Sequence, residues 1–381
     1  MSAFDAVVVG GGIIGSAIAH NLSKRDMRVL LVDQDEVPSQ KAPSADHARL
    51  FRLTFGKDTF YSGLALKTIP LWRQWEAASG EELFLQTGML DFALGDGKYE
   101  EQSQLALQEL GLKPRRLKPE EACDQYRVLR PRSFRFALHH AEGGLIFSQK
   151  AIAAFTTAAR KRRATIGVGV KIVKVLRGKS GIQGLKDAKG KVWTAANYVF
   201  AAGPWTRELL LDYGLPLSLT RQESLYFRPP QNQGRYRPAH FPVFAAMAKG
   251  IYGFPVHVHG FMRIGSLRKG TPQRAMKQPL PPEKRFERTC RAFLKGLIPD
   301  LAGFSDLEGH VGCYTRTPDG DPIVDRLPNE SNAWVASGFS GQGPTFAPLI
   351  GEAVARLICK EKNDLNLHRF RIDRLRLRPK K

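Results

Sequence analysis

Three stretches of the chain repeat one hydrophobic pattern: a short unbroken apolar run, a turn of small residues, then apolar residues at helical spacing. In DAVVVGGGIIGSAIAHNLSKRDMRVLLVDQD, Ala6 to Val9 read as a strand buried on both faces, SAIAHNLSKRD as a helix, and RVLLVD as a second strand ending at Asp33. TAANYVFAAGPWTREL carries a strand over Tyr198 to Ala201, a turn, and the start of another helix. NAWVASGFSGQGPTFAPLIGEAVARLI sets Gly338, Gly341 and Gly343 between a strand and an amphipathic helix. The segments in between differ in character. TGMLDFALGDG reads as a strand and turn, and LIFSQKAIAAFTTAARKRR as a helix whose start signal is Ser148. From 219 to 271, LTRQESLYFRPP, VFAAMAKGIYGFPVH and GFMRIGSL read as antiparallel strands, and PPEKRFERTCRAFLKGLIPDL as a helix entered through prolines.

In the first turn Gly10, Gly12 and Gly15 stand at GxGxxG spacing, with Ile13 and Ile14 inside the motif. The glycines permit a tight turn, close approach of backbone to a pyrophosphate, and close helix–strand packing; the helix N-terminus then offers its unpaired N–H groups. Asp33 is placed to accept hydrogen bonds from ribose hydroxyls. Ala202, Gly203 and Trp205 in the second turn, and Gly341, Gln342 and Gly343 in the third, let backbone lie against a ligand twice more. Turns so far apart suit a long extended cofactor, FAD, better than a nicotinamide nucleotide held by one contiguous unit. Ile172 is expected among the residues touching it.

The resulting expectation is an α/β chain with an α+β part. A Rossmann-like FAD-binding domain from 1–80, 150–215 and 315–381 is interleaved with an antiparallel-sheet substrate domain from 81–149 and 216–314. Within GFMRIGSL, Arg263 shares a strand face with Phe261, while Met262 and Ile264 take the other. A guanidinium in such company either reaches back to water or faces something it must touch.

Composition narrows the class. The 381 residues are 43% apolar and 25% charged, as in ordinary soluble globular proteins, and no run approaches transmembrane length. No secretory leader is expected, because the first apolar stretch is punctured by glycines. Cys123, Cys290, Cys313 and Cys359 lie far apart without CxxC spacing, which fits free thiols in a reducing cytoplasm and no metal site. The net charge of +22 is dispersed over short clusters (KPRR, KRR, RFRIDRLRLRPKK), so it is read as a solubilising surface and not as a nucleic-acid site. His257 and His259 share a strand face without further ligands and are read as polar pocket or surface residues. Asp319 and Asp321 in TPDGDPIVD are read as turn builders, Asp325 following on the next strand.

The chain resembles the monomeric sarcosine oxidase branch of the D-amino-acid-oxidase-like FAD-dependent oxidoreductases, which includes N-methyltryptophan oxidase and pipecolate oxidase. The resemblance is carried, in order, by the GxGxxG unit, ARLFRLTFG, GGLIF, AAGPWT, IYGFP, CYTRTPDGDPIVD and GFSGQG. It implies that Arg49 lies by the flavin ring, that Arg52 grips a substrate carboxylate, and that Tyr252 and Tyr314 line the substrate pocket. Arg263 falls where the branch carries a lysine facing the flavin, which aids oxygen reduction. Three positions depart from the branch. The cysteine that attaches FAD covalently falls on Gly312, one residue before Cys313; FAD is therefore expected to be non-covalent, with a link through Cys313 as the other arrangement. A second basic residue of the carboxylate site falls on Thr345, and a pocket histidine on Leu267. The implied reaction is oxidation of the C–N bond of an amino acid, N-substituted, by hydride transfer to flavin and imine hydrolysis, with electrons going to O2 or another acceptor. A hydroxy-acid dehydrogenase and a tRNA-modifying flavoprotein of the same fold are the alternatives.

Overall fold

The computed structural model describes residues 4–40, 46–179, 181–229, 234–257, 260–274, 281–305 and 307–375. Its first sheet has six strands in the order Ile323–Arg326, Ala333–Ser337, Ala195–Phe200, Phe4–Val9, Val29–Val32 and Thr165–Gly167. All neighbours are parallel except the first pair. Side chains alternate across a strand, and the two faces of Phe4–Val9 are both covered. Ala6 and Val8 pack under the helices Ile13–Ser23, Ser148–Lys161 and Gly343–Ile358, whereas Val7 and Val9 face Ile182 and Leu185 of a three-stranded antiparallel sheet. That double coverage is why the strand reads as an unbroken apolar run. Gly351 lets the last helix touch the first closely, since a Cβ there would stand 2.8 Å from the Ala17 backbone.

The helix after the glycine motif starts at Ile13, three residues before the position expected, and ends at Ser23. Gly15 therefore sits inside its first turn, where any Cβ would collide with the Gly10 carbonyl. The third glycine of the motif seats the helix on the strand instead of preceding it.

The second sheet has nine strands. Its centre runs Ser218–Phe227, Met262–Ser266, Ile251–Phe254, Val243–Ala246, Met89–Phe92 and Ala137–His140, with Leu307–Arg316 paired beside Ser218–Phe227. One face buries Leu225, Phe244, Met262 and Ile264 beneath Cys290, Leu294 and Leu297 of the helix Lys284–Leu297. The opposite face carries Met89, Tyr252 and Phe254, in contact with Ala48, Leu145 and Phe147. The expected antiparallel order holds except between Val243–Ala246 and Met89–Phe92, which are parallel. Those two strands are joined by a long crossover, so no hairpin constrains their direction. The strand Leu307–Arg316 runs through residue 314, so its sheet residues straddle that point of the chain.

Asp319, Asp321 and Asp325 do more than shape a turn. Arg369 donates to Asp321 (Nε to Oδ2, 2.6 Å) and to Asp58 (Nη2 to Oδ2, 2.7 Å), Arg374 pairs with Asp319 at 2.8 Å, and Ile372 N–H donates to Asp325. The acids dock the segment 368–374 against the start of the helix Thr59–Ser79. Residues 376–381 of the basic tail, and His259, lie outside the described residues; His257 is buried beside Phe147.

Candidate active site

A long cavity runs across the ends of the parallel strands. Gly10, Gly12, Ile13, Ile14 and Asp33 line one end, with Ile172, Ala202, Gly203 and Trp205 along its flank. Arg49, Cys313, Tyr314, Gly341 and Gly343 line the other end. Of the expected cofactor residues, Gly15, Gln342 and Thr345 are not on its wall: Gly15 packs on Gly10, Gln342 precedes the helix Gly343–Ile358, and Thr345 is buried in that helix's first turn. Ser337 and Phe339 line it without having been singled out; they flank glycine-rich positions and carry no signal of their own.

The donor set fits FAD. Two helices begin at the cavity, and no side chain caps either, so their first-turn N–H groups, less the one that Pro344 lacks, stand open to phosphate. Asp33 accepts from Gly11 N–H at 2.7 Å and from Asp35 N–H at 2.9 Å; burial outweighs these donors and holds its carboxyl above the usual range. At Gly203, φ is +51° and a Cβ would meet nothing within 4 Å, an open wall made by a left-handed turn. Nη2 of Arg49 is buried on the cavity wall without a partner among the described residues, a donor that would suit a polar ring system.

Beyond Arg49 the second sheet brings its polar residues together. Arg263 is only 3% exposed, so it does not reach back to water. Its Nη1 donates to the Ala48 carbonyl at 2.7 Å, and its Nη2 lies 2.6 Å from Asp46 Oδ2. Tyr252, Phe254 and Tyr226 surround the guanidinium, with ring centres 5.4, 5.2 and 5.8 Å away. Asp46 is the residue that sequence reasoning missed. It sits beside Arg49 (3.4 Å) and His310 (3.9 Å) as well, and its only signal was an isolated acid three places before the first arginine of ARLFRLTFG. Burial alone would raise its carboxyl; Arg263 and then Arg49 chiefly offset that and leave it below the ordinary value. Burial pushes His310 down to about 4, so its ring is neutral. Arg49 Nη1 donates to the Tyr314 hydroxyl at 3.0 Å, which ties the cavity wall to this cluster.

Leu307–Arg316 pairs residue for residue with Ser218–Phe227, with no bulge: Gly312 opposes Gln222, Cys313 opposes Arg221 and Tyr314 opposes Thr220. Gly312 therefore shares the face of His310 and Tyr314, and Cys313 takes the other. Burial pushes the Cys313 thiol up to about 11. Arg52 lies apart from Arg263. Its Nη1 donates to the Thr54 carbonyl (2.5 Å) and to the Tyr99 hydroxyl (2.8 Å), and the guanidinium stacks 4.2 Å above Phe55. Leu267 packs with Tyr252 in the apolar patch next to it.

The DAO family model, described as FAD dependent oxidoreductase, matches residues 5–357. The chain belongs to this family. It is 28% identical over 379 residues to monomeric sarcosine oxidase of Bacillus sp. (strain NS-129), covering 97% of both chains. It is 29% identical over 390 residues to human (Homo sapiens) peroxisomal sarcosine oxidase, covering 97% of this chain and 96% of that one. N-methyl-L-tryptophan oxidase of Salmonella arizonae is 26% identical over 377 residues, with 97% and 99% covered. Among solved structures, L-proline dehydrogenase from P. horikoshii superposes with a TM-score of 0.85 at 24% identity over 99% of this chain and 100% of that one. That likeness concerns the fold. The family supplies the cofactor class, and the fold class expected from the hydrophobic pattern is the one observed. No helix among the described residues is long and apolar enough to cross a membrane.

Proposed function

We propose that this member of the FAD-dependent family oxidises the C–N bond of a small N-substituted amino acid. The observation that carries the reading is the convergence of Arg49 and Tyr314, on the cavity wall, with Arg263 and Tyr252 around Asp46. When bound, FAD would supply the oxidising power as a hydride acceptor for the carbon beside the substrate nitrogen, with O2 or another molecule as the final electron acceptor. Arg52 offers a planar guanidinium that fixes a carboxylate through two parallel hydrogen bonds. Tyr252 and Tyr314 form the walls that orient the substrate, and Thr345 supplies a hydroxyl where the branch places a second cation. The substrate binds as the neutral amine, so no strong general base is required. The relatives named for sarcosine and N-methyltryptophan support the substrate class.

FAD is held non-covalently on this reading. The face that Tyr314 presents carries Gly312, which has no nucleophile; Cys313 also lines the cavity, but burial keeps its thiol protonated. We read 1–80, 150–215 and 315–381 as the unit that carries FAD, and 81–149 and 216–314 as the unit that carries substrate. We likewise read the net charge of +22, dispersed in short clusters along the chain, as a solubilising surface and not as a nucleic-acid site. The test is direct. Purified protein should be yellow, lose its colour to the supernatant on acid precipitation, and be reduced anaerobically by an N-methyl amino acid, sarcosine first. A colourless protein overturns the reading, as does a flavin that no amino acid reduces; colour that stays with the polypeptide overturns the non-covalent assignment.

A further inference from the structure

Behind Arg52 lies a second carboxyl that the reaction as described does not use. Asp91 is 1% exposed, on the strand Met89–Phe92, on the sheet face shared by Met89 and Tyr252. Its Oδ1 accepts from the Thr54 hydroxyl at 3.3 Å, and its Oδ2 is buried without a partner among the described residues. Thr54 also holds Arg52 through its carbonyl, so one residue touches both the guanidinium and the acid. Titratable groups face Asp91 from three directions: Arg52 from the loop after Arg49–Phe51 and His140 from the strand Ala137–His140, whose charges favour its ionised form, and Tyr99 and Glu100 from the helix Lys98–Glu109, whose own acidity an ionised Asp91 weakens. Across the sheet its partners are Ala245 on one side and Leu138 on the other, which add no charge.

An ionised oxygen buried without a donor is costly, so Asp91 is poised to hold a proton. Burial lifts its carboxyl to about 6, against the opposing pull of His140, Arg52 and Thr54. Ionised, it shares Arg52 with any substrate carboxylate, and two carboxylates on one half-buried cation repel each other. Protonated, it leaves the whole charge of Arg52 to the ligand.

We propose that Asp91 is a positioning residue that takes up a proton from solvent when Arg52 engages a carboxylate, so that anionic ligands bind more tightly as pH falls. This rests on the reading of Arg52 as the carboxylate clamp. By reciprocity, a ligand that favours the protonated acid must itself bind better when that acid is protonated.

Acetate, which stays ionised above pH 6 and carries no amine, is the probe, titrated into the FAD-loaded protein and followed by the flavin spectrum. Calorimetry in two buffers of different ionisation heat counts the protons. We expect the acetate Kd to weaken about three- to tenfold per pH unit between pH 6 and 8, with up to about one proton taken up per acetate. Asp91→Asn should abolish both effects. Glu100→Gln, which removes the neighbouring buried acid, should keep them. Thr54→Val removes the donor that favours ionised Asp91, and should move the pH profile upward. Acetate binding without proton uptake in the unaltered protein overturns the proposal, and so does uptake that survives in Asp91→Asn or disappears only in Glu100→Gln. The first of these needs no variant, so a variant that failed to fold would not shield the proposal. Acetate that does not perturb the flavin at all overturns the carboxylate-clamp reading itself, and sarcosine-driven reduction, measured separately, tests that reading independently.

Discussion

Replacing Asp46 by Asn keeps the side-chain shape and removes only its charge, which makes it a clean probe of the Arg263 pair. Both side chains are out of water, at 3% and 0% exposure, and their N–O distance is 2.6 Å. Removing one partner of such a pair leaves an uncompensated buried cation and costs about 3–5 kcal/mol. At the large-domain end of the scale, ~2 °C per kcal/mol, Asp46→Asn should lower the melting temperature by about 6–10 °C. The double variant Asp46→Asn with Arg263→Met removes the orphaned cation as well and should regain at least half of that loss. The assay is thermal unfolding followed by flavin release and by circular dichroism, with the four proteins forming a double-mutant cycle. Melting of the single variant within 2 °C of the parent, or strictly additive losses, would refute the claim that Asp46 is what Arg263 faces.

Gly15→Ala places a methyl group against the Gly10 carbonyl inside the helix that starts the cofactor cavity; the purified variant should carry little or no flavin by its absorbance ratio. Arg369→Ala removes the ion pairs to Asp58 and Asp321, so limited proteolysis should cleave near residues 368–374 at protease levels that leave the parent intact. Glu352 is drawn down from 4.5 to about 2, chiefly by its hydrogen bond with Arg25. A carboxyl depressed on folding stabilises fully above its unfolded value and loses that contribution as pH falls through the folded one, so the fall in melting temperature between pH 5 and 2 should be shallower in Glu352→Gln. His20 and His310 are both pushed by burial to about 4. Unfolded imidazoles bind protons that the folded ones refuse, so stability should rise with pH between about 4 and 6.5, and His20→Gln should flatten part of that rise.

The architecture was legible where the chain obeys local rules. The run Ala6 to Val9 announces a strand covered on both faces, and the alternation around Arg263 correctly separates Met262 and Ile264 from it. What was not legible depends on long-range placement. Asp46 meets Arg263 across more than two hundred residues, and nothing in the neighbourhood of either residue encodes that distance. Thr54, Tyr99 and Asp91 look like ordinary polar positions until three elements bring them around Arg52. The parallel pairing of Met89–Phe92 with Val243–Ala246 was hidden for the same reason, since direction there is set by a crossover and not by a turn. The aspartates of TPDGDPIVD had local turn chemistry that masked a second role, because their partners Arg369 and Arg374 come from the far end of the chain.

The order of strands in the parallel sheet also governs when the protein can acquire its cofactor during synthesis. Phe4–Val9 is made first, yet one of its neighbours is Ala195–Phe200, whose outer neighbour Ala333–Ser337 is made near the end. The cavity walls follow the same schedule: Gly10 and Asp33 early, Gly203 midway, Tyr314 and Gly341 late. A nascent chain halted before residue 333 holds the phosphate turn but lacks the strand and helix that complete the opposite wall. Flavin capture is therefore a late event in the life of each molecule, and the N-terminal glycine motif must wait, unliganded, for most of the chain to leave the ribosome.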